Sequence, residues 1–307
     1  MVVTTLKANA RDVLLAPIYL YQGRKVKRET LRLPEPEGIR YGQVRLAATD
    51  MTDTTGAQTE PSLNIMIVGD SAAAGVGSQT QQEALAGKLI PALQQQALTN
   101  TAFGSQFDTL SWSVQATTGH TSFDILRRLY VLPTPNQHVD VMVLSVGVND
   151  TTANVSADKW QAQIEEIIAI AQRKFGVQQL IFSSLPPMAQ MPALPKPLNS
   201  FIGAKANKLD AILQRICTEH AGVTYMDTDF ARIIDEHANI HVNGDNKSNA
   251  NSKGTPIDIA VMFADDGFHP SSLMYGYWAQ QLAELITDLL EPSTISTGTN
   301  KSDGALK

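Results

Sequence analysis

Leu63–Ser78 reads LNIMIVGDSAAAGVGS, and its first half decides the fold. The run from Leu63 to Val68 stops at Gly69-Asp70-Ser71 and gives way to small residues. A short apolar run closed by a glycine is the pattern of a strand buried on both faces, as in a parallel sheet. Ser71 then stands just past the carboxyl end of that strand, where open α/β sheets hold their ligands. A hydroxyl in that position is a candidate nucleophile.

The same rhythm repeats outward from this stretch. Gln82–Ala97 places Leu85, Leu89, Leu93 and Ala97 on one helical face, Phe107–Gln115 alternates as a strand, and Ser122–Tyr130 reads as a short helix. Val139–Val146 is a second continuous β-branched run and predicts a central strand. Ser156 caps a helix over Ala157–Phe175 that stops at Gly176. Gln179–Ser184 predicts a strand, Lys205–His220 a helix, Val223–Met226 a short strand and Ser272–Leu290 the last helix. Strands alternating with helices predict βαβ units, with a parallel sheet covered on both faces.

Two segments depart from the rhythm. Leu185–Leu198 (LPPMAQMPALPKPL) carries five prolines and predicts an ordered loop along the carboxyl edge of the sheet. His237–Thr255 is polar and reads as an insertion. The parse is an N-terminal segment and linker over residues 1–62, one catalytic-size domain over 63–291, and a tail over 292–307 that is disordered by composition. Within the first segment, the polar stretch Ala47–Pro61 is the linker.

Composition removes several function classes. A chain of 307 residues with 43% hydrophobic and 18% charged residues is ordinary for a globular protein. Its net charge of −6 argues against a nucleic-acid partner, because neutralising phosphates needs a basic surface. The single cysteine, Cys217, excludes an intramolecular disulfide and fits a cytoplasmic setting; its apolar helical neighbours place it in the core. Val13–Tyr21 (VLLAPIYLY) is too short to span a bilayer and contains Pro17. The small triplet Ala8-Asn9-Ala10 precedes this run rather than following it, so no cleavable signal peptide is recognised. Arg24, Lys25, Lys27 and Arg28 follow directly, and an apolar patch beside basic residues can rest on an anionic membrane surface. The reading we favour is a short helix docked on the domain with a solvated basic edge.

Four short motifs carry chemistry. Gly69-Asp70-Ser71 ends one strand, Gly119 follows the next, and Gly147-Val148-Asn149-Asp150 ends a third. Asp266-Gly267-Phe268-His269-Pro270 lies just before the last helix. Three of the motifs fall on one edge of the sheet, and the fourth supplies a carboxylate and an imidazole on one loop. In type and order they resemble the four blocks of the SGNH hydrolases, also called the GDSL lipases and esterases, over about Leu63–Leu290. The stretches LLAP, RLPEPEG and PPMAQMPALPKPL are also similar to those of bacterial lipase-like members. The resemblance implies a three-layer α/β/α sandwich with a central parallel sheet, flavodoxin-like in its topology. It also implies hydrolysis of a carboxylic ester without metal or cofactor, on a small-molecule or lipid substrate; the alternatives are a non-catalytic ligand-binding module on the same fold, or a deacetylase or thioesterase acting on a carbohydrate or thioester.

Matching position by position, the resemblance makes Ser71 the nucleophile, His269 the base and Asp266 the carboxylate that orients it. A serine hydroxyl is a poor nucleophile at neutral pH and needs such a base. The backbone N–H groups of Ser71 and Gly119 and the side-chain amide of Asn149 would form the oxyanion hole. Each residue also has a plainer reading. Ser71 alone could cap a helix, Asn149-Asp150 could be a turn, Gly119 ordinary loop, and His269 a packed histidine. Asp70 and Asp150 read as structural carboxylates bonding loop amides. Asp266, so near His269 in sequence, is expected to matter less than His269.

Other features stay outside the chemistry. Gly75-Val76-Gly77 lacks the third glycine of a dinucleotide loop, position 80 being Thr, and no Lys-Ser/Thr follows to make a P-loop. His237 and His241 stand at i,i+4 without a third ligand. His120 is expected to face solvent. Met188 and Met191 either line an acyl pocket or pack in the core. Ala72, where the family name has a bulkier aliphatic residue, leaves room beside the nucleophile.

Overall fold

The structure is a computed structural model that describes residues 10–46, 61–228 and 259–291. The His237–Thr255 insertion, the His237/His241 pair, the tail over 292–307 and nearly all of the expected linker lie outside these residues. Among the described residues, fifteen α-helices and strands run in the order α1 (Ala10–Glu29), β1 (Tyr41–Arg45), β2 (Ser62–Gly69), α2 (Ser71–Ala74), α3 (Leu85–Thr99), α4 (Thr101–Gly104), β3 (Thr109–Ala116), α5 (Ser122–Val131), β4 (Val141–Ser145), α6 (Val148–Thr152), α7 (Ala157–Phe175), β5 (Gln179–Ser183), α8 (Leu198–Glu219), β6 (Val223–Met226) and α9 (Ser272–Leu290).

The strands form one sheet in the order β1-β3-β2-β4-β5-β6. Every pairing is parallel except that of β1 with β3. The chain moves first to one side of β2, to β3, and then to the other side, through β4, β5 and β6. This is the flavodoxin-like order, with its switch point between β2 and β4. Right-handed crossovers then place α3 and α9 together on one face and α5, α7 and α8 on the other. The fold is therefore the expected α/β/α sandwich.

Burial explains why the central strands read as unbroken apolar runs. Leu63, Ile67, Val141, Val143, Leu180 and Ile181 are all inaccessible to solvent. Trp160 on α7 is fully buried, and its indole N–H donates to Leu209 O on α8 at 3.0 Å, tying two helices of one layer. Cys217 is in the core, and burial pushes its thiol up to about 12.

The structure departs from the sequence reading at several boundaries and at one strand. The helix expected from Gln82 starts at Leu85, and the one expected from Lys205 starts earlier, at Leu198, directly after Pro197. Val13–Tyr21 and the basic cluster are one continuous helix with Pro17 inside it, rather than a short apolar helix followed by a basic edge. That helix packs on α8, where Tyr19 stacks on Phe201 with ring centroids 4.5 Å apart. β1 was not anticipated. Its Gly42 sits under the Trp112 ring, where an added Cβ would come within 2.5 Å of the indole.

Candidate active site

Ser71 is placed by a turn that the sequence around it dictates. Gly69 ends β2 where an added Cβ would stand 2.4 Å from Ser145 O, so only glycine lets β2 and β4 approach so closely there. The Asp70 side chain caps α2 by accepting from the Ala72 N–H at 3.1 Å. Gly75, at φ 91°, closes the helix in the left-handed region. Tyr275 on α9 pins the turn from outside, its hydroxyl lying 2.8 Å from Val76 O and 3.0 Å from Ala72 O. The three alanines therefore serve partly as packing: Ala73 and Ala74 are buried, and Ala72 faces a cavity.

His269 reaches this turn from the loop before α9. Its Nε2 is 2.8 Å from Ser71 Oγ, and its Nδ1 is 2.5 Å from Asp266 Oδ2. Asp266 Oδ1 also accepts from the backbone N–H groups of Phe268 and His269, at 2.9 and 3.0 Å. The carboxylate is thus saturated by donors within its own loop. Burial alone would raise its pKa, but the hydrogen bonds from His269 and the two amides outweigh burial and hold it below the usual carboxylate range. Gly267, at φ 64°, makes the bend that lets Asp266 face His269, and its carbonyl accepts from Ala193 N at 3.0 Å. The proline-rich segment is indeed ordered, and it buttresses the histidine loop.

The other two motifs gather on the far side of Ser71. Residues 117–120 form a four-residue turn closed by His120 N donating to Thr117 O at 3.3 Å, with Gly119 at φ 84° in its third position. Such a turn needs a positive φ there, hence glycine. An added Cβ at Gly119 would meet nothing within 4 Å, so the constraint is the backbone angle and not space. Asn149, on α6 just past β4, donates from Nδ2 to His120 O at 3.0 Å and to Asp70 Oδ2 at a longer 3.3 Å. It therefore ties the turn to the residue preceding Ser71. Among the described residues, neither the Ser71 nor the Gly119 backbone N–H has a hydrogen-bond acceptor.

Asp70 and Asp150 have the structural roles expected of them. Asp150 is fully buried and receives the Ser122 N–H at 3.0 Å and the Ser122 hydroxyl, anchoring the start of α5. Asp70 is buried with one ordinary hydrogen bond, from Ala72 N, and two long contacts, from Ser145 Oγ at 3.4 Å and Asn149 Nδ2 at 3.3 Å. Burial accordingly pushes its carboxyl up to about 6. His120 corrects an expectation. It is half-buried rather than solvent-facing, its Nδ1 is shielded without a partner among the described residues, and burial followed by the Arg128 charge lowers its pKa.

An apolar cavity of about 70 Å³ adjoins Ser71 and His269, walled by Pro186, Met191, Met262, Phe263, Met274 and Trp278. Met191 is a wall residue, whereas Met188 is fully buried core. The Trp278 indole N–H donates to Ser183 Oγ at 3.0 Å, so this wall is fixed to the end of β5.

A sequence profile of the GDSL-like lipase/acylhydrolase family matches residues 67–277, more than half of the chain and all four motifs. The chain belongs to the GDSL family. No curated protein sequence matches it. Among solved structures, this GDSL hydrolase is similar to a family 3 carbohydrate esterase of Clostridium thermocellum, with 16% identity, 75% of this chain and 100% of that one covered, and a TM-score of 0.47. It is also similar to the lipase/acylhydrolase of Enterococcus faecalis, with 18% identity, 75% and 97% covered, and a TM-score of 0.44. A third is the psychrotrophic esterase EstA of a Pseudoalteromonas species, with 16% identity, 75% and 100% covered, and a TM-score of 0.44.

Reasoning from sequence missed the residues that hold the GDSL site together from a distance. Tyr275 carried no signal beyond aromaticity. Glu35 and Arg40 lie in the RLPEPEG segment and just after it, where the prolines advertise a rigid connection but not what it touches. Glu35 Oε1 accepts from the Thr118 N–H at 2.7 Å and from the Thr118 hydroxyl at 2.8 Å, while Oε2 accepts from Arg40 at 2.8 Å.

Proposed function

We propose that this GDSL hydrolase cleaves carboxylic esters of short to medium acyl chains through an acyl-enzyme on Ser71. The reading is carried by the unbroken relay from Ser71 Oγ through His269 to Asp266, at 2.8 and 2.5 Å. His269 takes the serine proton as Oγ attacks the carbonyl and returns it to the leaving alcohol; water then repeats the sequence on the acyl-enzyme. Asp266 holds the Nδ1–H tautomer and offsets the charge of the imidazolium. The backbone N–H groups of Ser71 and Gly119 receive the oxyanion, joined by the Asn149 amide hydrogen that makes only the long contact to Asp70.

The cavity beside Ser71 supports the choice of acyl group. A single water needs roughly 10–15 Å³ of such space, so this cavity takes about five non-hydrogen atoms. Its apolar walls suit a hydrocarbon chain rather than a sugar. Phosphonylation by a fluorophosphonate probe, wild type against Ser71→Ala, tests the nucleophile: labelling that persists in the variant removes Ser71 from the reaction. A panel of nitrophenyl esters tests the acyl group, with turnover expected to peak near butyrate to hexanoate. A peak at acetate would favour a deacetylase, and a preference for thioesters a thioesterase.

A second reading concerns where the substrate is met. No described helix is long and apolar enough to cross a membrane. On α1, however, Leu14, Ile18 and Tyr21 share one outward face and are 80%, 44% and 67% exposed, and Lys25 and Arg28 continue the same face. We propose that this stripe rests on an anionic lipid surface, on the cytoplasmic side, while residues 63–291 act as the catalytic domain. Co-flotation with phosphatidylserine vesicles should be lost in Leu14→Ser/Ile18→Ser. Equal flotation of both proteins rejects the contact.

A further inference from the structure

Asn149 and Glu35 hold residues 118–120 of the turn while Arg128 donates to Thr117 Oγ1 at its start, and of these only Asn149 belongs to the four motifs. Asn149 grips His120 O from the sheet side. Glu35 grips Thr118 from the opposite side, through both its N–H and its hydroxyl, and Arg40 fixes Glu35 in turn. Arg40 also donates to Ala116 O at 3.3 Å, at the end of β3. Glu35 lies well before Ile67, where the family match begins.

The geometry of a four-residue turn makes this grip consequential. Its central peptide, here Thr118–Gly119, can rotate between two orientations that differ by about half a turn and exchange the places of the carbonyl and the N–H. The orientation with positive φ at Gly119 is the one observed, and in it the Gly119 N–H has no acceptor among the described residues. Holding Thr118 by two hydrogen bonds fixes the residue on one side of the rotating peptide. Burial would raise the Glu35 pKa, but the Thr118 and Arg40 contacts outweigh it and hold it below the usual glutamate value, so Glu35 is an anion at neutral pH.

We propose that Glu35, braced by Arg40, is a positioning residue for the oxyanion hole: it locks the Thr118–Gly119 peptide with its N–H available to the reacting carbonyl oxygen. This rests on the reading of Ser71 as nucleophile and Gly119 N–H as oxyanion donor. The N-terminal segment is then part of the catalytic apparatus, although it contributes no group that touches substrate.

The test measures the rate constant for Ser71 phosphonylation by a fluorophosphonate, kcat and KM on nitrophenyl butyrate, and inhibition by butylboronic acid, which becomes a tetrahedral anion on a serine. Removing an oxyanion donor outright costs roughly 10²–10³-fold, so loosening one should cost about tenfold. Glu35→Ala is expected to lower phosphonylation and kcat by about tenfold and to weaken boronate inhibition by a similar factor, with KM within twofold. Glu35→Gln keeps an acceptor for Thr118 and should lose less. Thr118→Val, at an exposed residue, removes only the hydroxyl bond and should lose about two- to threefold. A rise in KM with unchanged kcat, or a loss of kcat without weaker boronate inhibition, overturns the proposal. So does Glu35→Ala at wild-type rates. Phosphonylation undiminished in Ser71→Ala overturns both this proposal and the reading beneath it, whereas an inert Ser71→Ala beside an unaffected Glu35→Ala overturns the positioning role alone.

Discussion

The two flanks of Ser71 are built on opposite plans. On the histidine side, Asp266 and His269 belong to one short loop, and Asp266 accepts three hydrogen bonds from its own neighbours. On the Gly119 side, a turn after β3 is held by Asn149 after β4, by Asp70 through Asn149, and by Glu35 from before the sheet begins. The carboxylates reflect the difference. Asp266 is buried but saturated with donors, and its pKa falls, while Asp70 is buried with one ordinary hydrogen bond and two long contacts and its pKa rises to about 6. Burial opposes charge in both cases, and local donors decide the outcome. A self-contained loop secures its geometry by short range; a distributed site depends on the whole fold.

The comparison can be broken from the histidine side first. His269→Ala should lower kcat on nitrophenyl butyrate by about 10⁴-fold or more, with an unchanged melting temperature. Asp266→Asn should lower it on the order of 10³-fold, because the amide presents an N–H to Nδ1 and disfavours the required tautomer. A loss under tenfold would mean that the loop backbone, and not the carboxylate, orients the ring. On the other side, Asn149→Ala should lower kcat by roughly 10²–10³-fold, combining a lost donor with a loosened turn.

The smaller effects sharpen the contrast between the carboxylates. Asp70 binds its proton more tightly folded than unfolded, its pKa moving from 3.8 to about 6. Its contribution to stability is therefore complete below pH 4 and is lost as pH rises through 6. Asp70→Asn lacks this dependence. Urea unfolding at pH 4 and pH 7 should show the variant gaining on wild type by up to about 3 kcal/mol across the interval. A constant difference would place Asp70 in a better-solvated site. For Asp266 the sign reverses: its contribution is present above the ordinary carboxylate range and is lost as pH falls through its lowered pKa. Tyr275→Phe should cost about 1 kcal/mol in the same assay, the loss of one hydroxyl bond to the nucleophile turn.

The His269 side was legible in sequence and the Gly119 side only in outline, for reasons visible in the residues. Strands such as Val141–Ser145 are buried on both faces, so periodicity announces them. The helix Ala157–Phe175 carries its own cap and stop at Ser156 and Gly176. Ser71, Gly119 and Asn149 each follow a strand end, so their common edge followed from the alternation of elements. Asp266 was expected to count for less than His269, and in the structure it accepts three hydrogen bonds from its own loop. That saturation depends on the bend at Gly267, which spacing alone does not reveal. β1 escaped because Tyr41–Arg45 is only partly buried and interrupted by Gly42, whose place under Trp112 is a tertiary fact. Glu35 escaped because nothing around a glutamate in sequence names a hydrogen-bond partner 83 positions away.

β1 has one more consequence. It lies along β3 in the antiparallel sense and ends the sheet on that side with a short strand bearing Arg45. A fragment trimmed to the matched residues 67–277 would uncover the edge of β3 that β1 covers, over Thr109–Ser113 with Trp112 among them. Exposed ladders of that kind recruit other chains. Such a fragment should self-associate more readily than the full chain, which size-exclusion chromatography of the two would read.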